Sequence, residues 1–211
     1  MKVEIWSDVI CPWCYIGKRR FEMALAGFAH RNEVEVIWRS FELDARAPQE
    51  YPGTLEDLLA KKYGVSPQQA AEMNANVSSV AGELGLTYRL ADAHPGNTFD
   101  AHRLLHYAES RQLGDRAIER IMQAYFAESL HVGNRAALAR LAPEFGITAG
   151  DASAMLESDA YIDAVRADEA RAAGFGIRGV PFFVFDAKSG ISGAQPAAMF
   201  TQALEQTWQA A

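Results

Sequence analysis

Ser7-Asp8-Val9-Ile10-Cys11-Pro12-Trp13-Cys14-Tyr15-Ile16-Gly17 holds both cysteines of this 211-residue chain and lies where an extended apolar run gives way to a helix. Val3 to Trp6, then Val9 and Ile10, lead into Cys11. Pro12 suits the first position of a helix, because its missing N–H has no partner there in any case and its fixed φ is already helical. A helix beginning at Pro12 puts the Cys11 sulfur at its positive end, where the partial charge and free N–H groups favour thiolate over thiol. Cys14, three residues on, falls on the same side of the first turn and within reach of a disulfide.

The elements around this stretch follow from periodicity. Residues 2–10 read as a strand and residues 12 to about 30 as a helix, with Phe21, Ala24, Leu25 and Phe28 at core spacing. Val34 to Phe41, rich in β-branched and aromatic residues, forms a second strand. The strand–helix–strand order implies a parallel pair with a right-handed crossover. After a loop carrying Pro48 and Pro52, the pattern from Thr54 to about Gly174 is helix after helix. One is expected from Leu55 to Tyr63, stopped by Gly64, and another from Pro67 to Leu84, capped by Ser66 and closed by Gly85. Asn97 or Thr98 opens a helix with the stripe Ala101, Leu104, Leu105 and Ala108. Ile118, Ile121, Met122, Tyr125 and Phe126 form the stripe of the next, with Gly133 as its stop. Three more run from Arg135 to Phe145, Asp151 to Leu156 and about Tyr161 to Ala172. Strand character returns in Gly179 to Phe185, a turn at Asp186 to Gly190 leads to Ile191 and Ser192, and Pro196 opens a last helix.

The order is β-α-β, a helical block, then β-β-α. The predicted fold is therefore α/β: a thioredoxin-like fold made of residues 1–50 and 176–211, with an all-helical domain, residues 51–175, inserted between its halves. In that order the proline opening the third strand is expected to be cis and to face the cysteines, which assigns the Val180–Pro181 bond as cis. A proline inside an apolar strand must otherwise sit at an edge or a special turn.

Composition narrows the functions. Apolar residues are 49% and charged residues 22% of the sequence, as in an ordinary globular protein with a packed core. A net charge of -7, with no basic run longer than Lys18-Arg19-Arg20, argues against a nucleic-acid or anionic-membrane partner. That trio is expected on a solvated helix face. No run of 18 apolar residues suggests a membrane span. The opening Met1-Lys2-Val3-Glu4-Ile5-Trp6 enters a strand at once, without the features of a secretory signal, so a cytoplasmic protein is expected. In that compartment a C-x-x-C pair is more often catalytic or metal-binding than a structural staple.

Cys11 is the candidate nucleophile and Cys14 the resolving thiol, since disulfide exchange needs a second thiol close behind the first, and only the first exposed. Pro12 and Trp13 between them tune the site. Asp8 either opposes the Cys11 thiolate, accepts a proton from Cys14, or is a solvated loop acid; the last is the expectation. The competing reading of the cysteines is half a metal site. Zinc usually needs four ligands, and the other paired candidates, His102 and His106, lie too far along the chain for a compact zinc module.

Cys11-Pro12-Trp13-Cys14 taken with Gly179-Val180-Pro181 resembles the DsbA superfamily of thiol–disulfide oxidoreductases, and more closely its FrnE-like branch. Phe41-Glu42-Leu43-Asp44, Asn97 to Leu104 and Ile191 to Pro196 extend the likeness over nearly the whole chain. The resemblance implies a redox-active Cys11–Cys14 pair, Pro181 as the cis-proline, a disulfide-containing protein or small molecule as substrate, no bound cofactor, and a monomer or homodimer. Pro12, Trp13, Val180, Asn97 and His102 are candidate substrate contacts, the last two lining a cleft beside the dithiol; equally, Asn97 is a helix cap and His102 a flank of the apolar stripe. A dithiol as oxidising as that of DsbA, about -120 mV, lies at least ~100 mV above the cytosolic glutathione poise, so a cytosolic member rests reduced and acts as a reductase or isomerase. The superfamily also contains glutathione-dependent enzymes similar to 2-hydroxychromene-2-carboxylate isomerase and kappa-class glutathione transferases. Glutathione is thus a candidate co-substrate, and an isomerase or transferase is the alternative activity. A metal- or ligand-binding module without turnover is the third.

Overall fold

The computed structural model describes residues 1–210. Its elements run in the order β1 (Lys2–Ser7), α1 (Pro12–Gly27), β2 (Glu35–Ser40), α2 (Leu55–Tyr63), α3 (Pro67–Gly82), α4 (Phe99–Glu109), α5 (Gly114–Glu128), α6 (Arg135–Leu141), α7 (Ala149–Glu157), α8 (Ile162–Gly174), β3 (Phe182–Phe185), β4 (Ser189–Ser192) and α9 (Ala197–Gln209). They form two compact units. One comprises Met1–Leu43 with Ala167–Ala211, the other Asp44–Arg166.

The first unit is built on a four-stranded sheet in the order β2-β1-β3-β4. β1 and β2 pair in parallel, Ile5 opposite Trp38, while β1 with β3 and β3 with β4 are antiparallel. The period-2 alternation of β1 sorts its side chains between the two faces. Val3 and Ile5 pack with Phe21, Ala24 and Phe28 of α1, Phe183 and Phe185 of β3, and Phe200 and Leu204 of α9. Trp6 turns the other way, onto Ala172, Ile177 and Val184. Glu4, on that second face, binds Arg39 and Arg171, and Asp168 accepts from Arg39 and from the Ser40 amide. Burial opposes a charge on Glu4, but the hydrogen bonds from Arg171 and Arg39 hold its carboxyl below the usual carboxylate range.

These contacts explain why the first unit resumes at Ala167, nine residues before the expected 176. Asp168, Arg171 and Ala172 sit on the C-terminal part of α8 and are committed to β1 and β2 partners. Leu43 closes the first half because its amide donates to Asp8 Oδ2 at 2.7 Å.

In the second unit the expected stripes form the core: Ala101, Leu104 and Ala108 of α4 and Ile118, Ile121, Met122, Tyr125 and Phe126 of α5 are buried. Arg103 is the buried cation of this unit. Its guanidinium bonds Asp100 and the carbonyls of Met155, Leu156, Ser158 and Ala160, which satisfies the C-terminal end of α7. α5 stops at Glu128, five residues before the expected Gly133, because Ser129 takes the left-handed conformation (φ 59°). Gly133 instead makes room for backbone: it and Gly96 lie against the Gln49 carbonyl, where a Cβ would clash. No described helix is long and apolar enough to cross a membrane.

The basic trio is a second correction. Lys18 is only 2% exposed; its ammonium pairs with Glu22 and lies over the Trp38 ring. The α1 face that carries it packs toward β2, so this cation is not solvated.

Candidate active site

The turn after β1 is tied by the Cys11 amide donating to the Asp8 carbonyl at 3.1 Å. Cys11 is the N-cap of α1 with Pro12 at the first helical position, and its extended backbone (φ -82°, ψ 114°) points the chain into the helix. Cys14 follows in the first turn. Both thiols are reduced, and they come within 3.4 Å of each other. Cys11 is 5% exposed and Cys14 1%, so both cysteines are buried, and the first is not the exposed thiol expected.

The loop before β3 covers Cys11. The Val180–Pro181 peptide is cis, and the Val180 carbonyl accepts from the Cys11 thiol at 3.7 Å. Pro181 is fixed from two sides. Its carbonyl accepts from the Gly193 amide at 2.8 Å, and its ring rests on α1 at Gly17, where an added Cβ would stand 2.9 Å from Pro181 Cγ. Arg20, one turn further along α1, donates to the Ala194 carbonyl at 2.6 Å and fastens to the helix the segment after β4, whose Gly193 amide holds the Pro181 carbonyl. Gly17 is therefore a positioning residue that composition could not have revealed; its signal is the absence of a side chain one turn after the cysteines.

Burial pushes the Cys14 thiol well above the ordinary cysteine pKa, and its hydrogen bond with Cys11 adds to the effect; the Asp8 amide and the Ser7 hydroxyl pull the other way. Cys14 is thus held as a neutral thiol beside Cys11. Asp8 is not the solvated acid expected: it is fully buried, because its carboxylate satisfies the Leu43 amide.

Cys11, Pro12, Trp13, Cys14, Val180 and Pro181 all belong to the first unit. Trp13 is 44% exposed, an aromatic surface beside the thiols. Asn97 and His102 belong to the second unit. Asn97 accepts from the Phe99 amide at 2.9 Å and donates to the Ala47 carbonyl at 3.2 Å, opening α4 and holding the loop before it. His102 is buried on α4 beside the apolar stripe. Among the described residues no group of three or more His, Cys, Asp or Glu side chains is arranged to hold a metal ion.

Comparison with known proteins places the fold and the family. A probable DsbA oxidoreductase from Streptomyces coelicolor is 47% identical and superposes with a TM-score of 0.95, over 99% of this chain and 90% of that one. 2-Hydroxychromene-2-carboxylate isomerase shares the fold at 14% identity, with a TM-score of 0.74 over 99% of this chain and 97% of its own. The uncharacterized protein YwbO of Bacillus subtilis (strain 168) is 28% identical over 166 residues, 78% of this chain and 76% of its own. The sequence pattern of the DSBA-like thioredoxin domain runs through residues 2–205, the whole of the sheet and the inserted helices, and the chain belongs to that family.

Proposed function

We propose that this protein is a thiol–disulfide oxidoreductase that reduces or isomerises disulfides through Cys11 and Cys14. The observation that carries the reading is the reduced pair, 3.4 Å apart, at the start of α1. The Cys11 thiolate attacks one sulfur of a substrate disulfide, forming a mixed disulfide and expelling the other substrate sulfur as thiolate. Cys14 then loses its proton and attacks the Cys11 sulfur. The Cys11–Cys14 disulfide forms, the bond from Cys11 to the substrate breaks, and the second substrate sulfur leaves with the electron pair. The substrate gains two electrons and the protein loses two; a thiol reductant restores the dithiol.

The raised pKa of Cys14 supports the reducing direction. A thiol of high pKa is a poor leaving group, so a Cys11–Cys14 disulfide, once formed, yields slowly to an incoming thiolate. Trp13 and the Val180–Pro181 loop supply the surface on which an extended substrate segment lies beside Cys11. The 47% identical protein of Streptomyces coelicolor, described as a probable DsbA oxidoreductase, supports the class of reaction.

The test is reduction of insulin by dithiothreitol with the wild-type protein and Cys14→Ser. The expected result is loss of catalysis in the variant together with a mixed disulfide trapped on Cys11. If Cys14→Ser keeps its reductase activity and binds glutathione, the protein is instead a glutathione-dependent enzyme of the isomerase or transferase type. Stoichiometric zinc, lost when either cysteine is replaced, would make it a metal-binding module.

A further inference from the structure

We propose that Arg20 is a positioning residue for the attack at Cys11: with the turn Gly193–Gln195 it forms a brace that holds the Val180–Pro181 segment over the nucleophile, as the edge on which a protein disulfide is presented. The inference rests on the dithiol reading above and adds to it the part of the molecule that aligns a large substrate.

The brace is a chain of contacts that lies wholly within the first unit. Arg20 Nη1 donates to the Ala194 carbonyl at 2.6 Å. Ala194 sits in a tight turn, closed by the Gln195 amide donating to the Gly193 carbonyl at 3.0 Å and by Gln195 Nε2 donating to the Ser192 carbonyl at 3.0 Å. From that turn the Gly193 amide donates to the Pro181 carbonyl at 2.8 Å. The chain ends at the nucleophile, where the Val180 carbonyl lies 3.7 Å from Cys11 Sγ. Gly193 has φ 81°, so a side chain at this joint would strain the turn. Ala194 also rests on α1, its Cβ 3.5 Å from the point a Cβ on Gly17 would occupy. The turn is thus seated on the helix at Gly17 and tied to it at Arg20.

The Arg20 bond is charge-assisted and partly buried, which makes it the strong link of the chain. The segment it holds, Ile191 to Pro196, carries no group able to take part in disulfide exchange, yet its backbone is bonded to the proline beside Cys11. What it contributes is therefore position. A large substrate needs that position fixed, because the chain carrying its disulfide must lie along the Val180–Pro181 edge before the Cys11 sulfur can attack. A displacement of about 1 Å at a reacting centre costs up to ~100-fold in rate. A small disulfide approaches Cys11 by diffusion and does not use the edge.

A protein disulfide and a small one, compared on the same variants, separate alignment from reactivity. Insulin reduction reports the first. The second is 5,5′-dithiobis(2-nitrobenzoate): attack by Cys11 releases one thionitrobenzoate and leaves the other on Cys11, and attack by Cys14 releases the second and forms the internal disulfide. In Arg20→Ala insulin reduction is expected to fall roughly 10- to 100-fold, while the first thionitrobenzoate release stays within about threefold of wild type. Gly193→Ala, which strains the turn at its other end, should show the same split, and it carries the test alone should Arg20→Ala not fold. The double variant should reduce insulin no more than about threefold more slowly than the slower single one, because two breaks in one brace do not add. Arg20→Lys, which keeps a cationic donor, should stay closer to wild type than Arg20→Ala. The proposal is overturned if Arg20→Ala reduces insulin as fast as wild type, if the two reactions fall together, if the two single losses multiply in the double variant, or if Lys loses as much as Ala. The dithiol reading fails separately, if Cys14→Ser with Arg20 intact reduces insulin at the wild-type rate.

Discussion

Replacing Gly17 by Ala tests how the loop over Cys11 is held. In the interior of a helix this change ordinarily stabilises by about 0.5–1 kcal/mol. Here the new methyl would stand 2.9 Å from Pro181 Cγ, 3.4 Å from Phe183 Cζ and 3.5 Å from Ala194 Cβ. Carbon atoms settle at about 3.5–4.0 Å, so the Pro181 ring must retreat by roughly 0.6–1 Å, and overpacking of this kind costs about 1–3 kcal/mol. The net change is a loss of up to about 2.5 kcal/mol. At roughly 2–4 °C per kcal/mol for a chain of this size, the melting temperature falls by up to about 10 °C. Gly27, at the other end of the same helix, has nothing within 4 Å of its added Cβ; Gly27→Ala should hold or raise the melting temperature, by no more than about 4 °C. The same retreat draws the Val180 carbonyl from its position 3.7 Å from Cys11 Sγ. Misplacement by about 1 Å at a reacting centre costs up to ~100-fold in rate, so insulin reduction by Gly17→Ala should fall by roughly 10- to 100-fold while Gly27→Ala matches wild type. Thermal melts and the reduction assay on the two variants decide the matter. A Gly17→Ala protein that melts at or above wild type with unchanged activity would refute the idea that this glycine seats Pro181.

Two further outcomes follow from the ion networks. Glu4→Gln takes from Arg171 its carboxylate and from Arg39 one of its two, Asp168 remaining, and should destabilise the protein by roughly 1–3 kcal/mol at pH 7. Because the folded pKa of Glu4 is depressed, its contribution is fully present above the unfolded value and disappears as pH falls through the folded one. Denaturant midpoints of wild type and variant should therefore converge below the usual carboxylate range, and a constant gap down to acid would count against the charge. Arg103→Lys removes the planar fork that reaches the end of α7 and should cost about 2–4 kcal/mol in stability, read from urea unfolding, with the rate of the first thionitrobenzoate release unaltered; a change in that rate would connect Arg103 to the thiol chemistry.

Most of the elements were legible because their residues repeat with the period of the structure they form. The apolar run of β1, the stripes of α4 and α5, and Pro12 at the start of α1 are local patterns, and the β-α-β, helices, β-β-α order limits the topology to a very few choices. Local character misleads where a distant partner overrides it. Lys18 looks solvated in its basic trio, yet it is buried against Glu22 and Trp38. Asp8 looks like a loop acid, yet it satisfies the Leu43 amide. Gly133 looks like a helix stop, yet Ser129 ends α5 and the glycine makes room for the Gln49 carbonyl.

By itself the sequence singled out the candidate chemical groups: two cysteines three residues apart, a proline opening the helix between them, and a second proline some 170 residues later in an apolar run. Periodicity and covalent geometry are local, so they can be read from one dimension. Only the tertiary structure decided the state of those atoms. Burial raises the pKa of the Cys14 thiol, the Val180 carbonyl makes the contact at Cys11, and a missing side chain on α1 seats Pro181. Each depends on solvent exclusion and on groups brought together from far along the chain, and neither exists until the chain has folded.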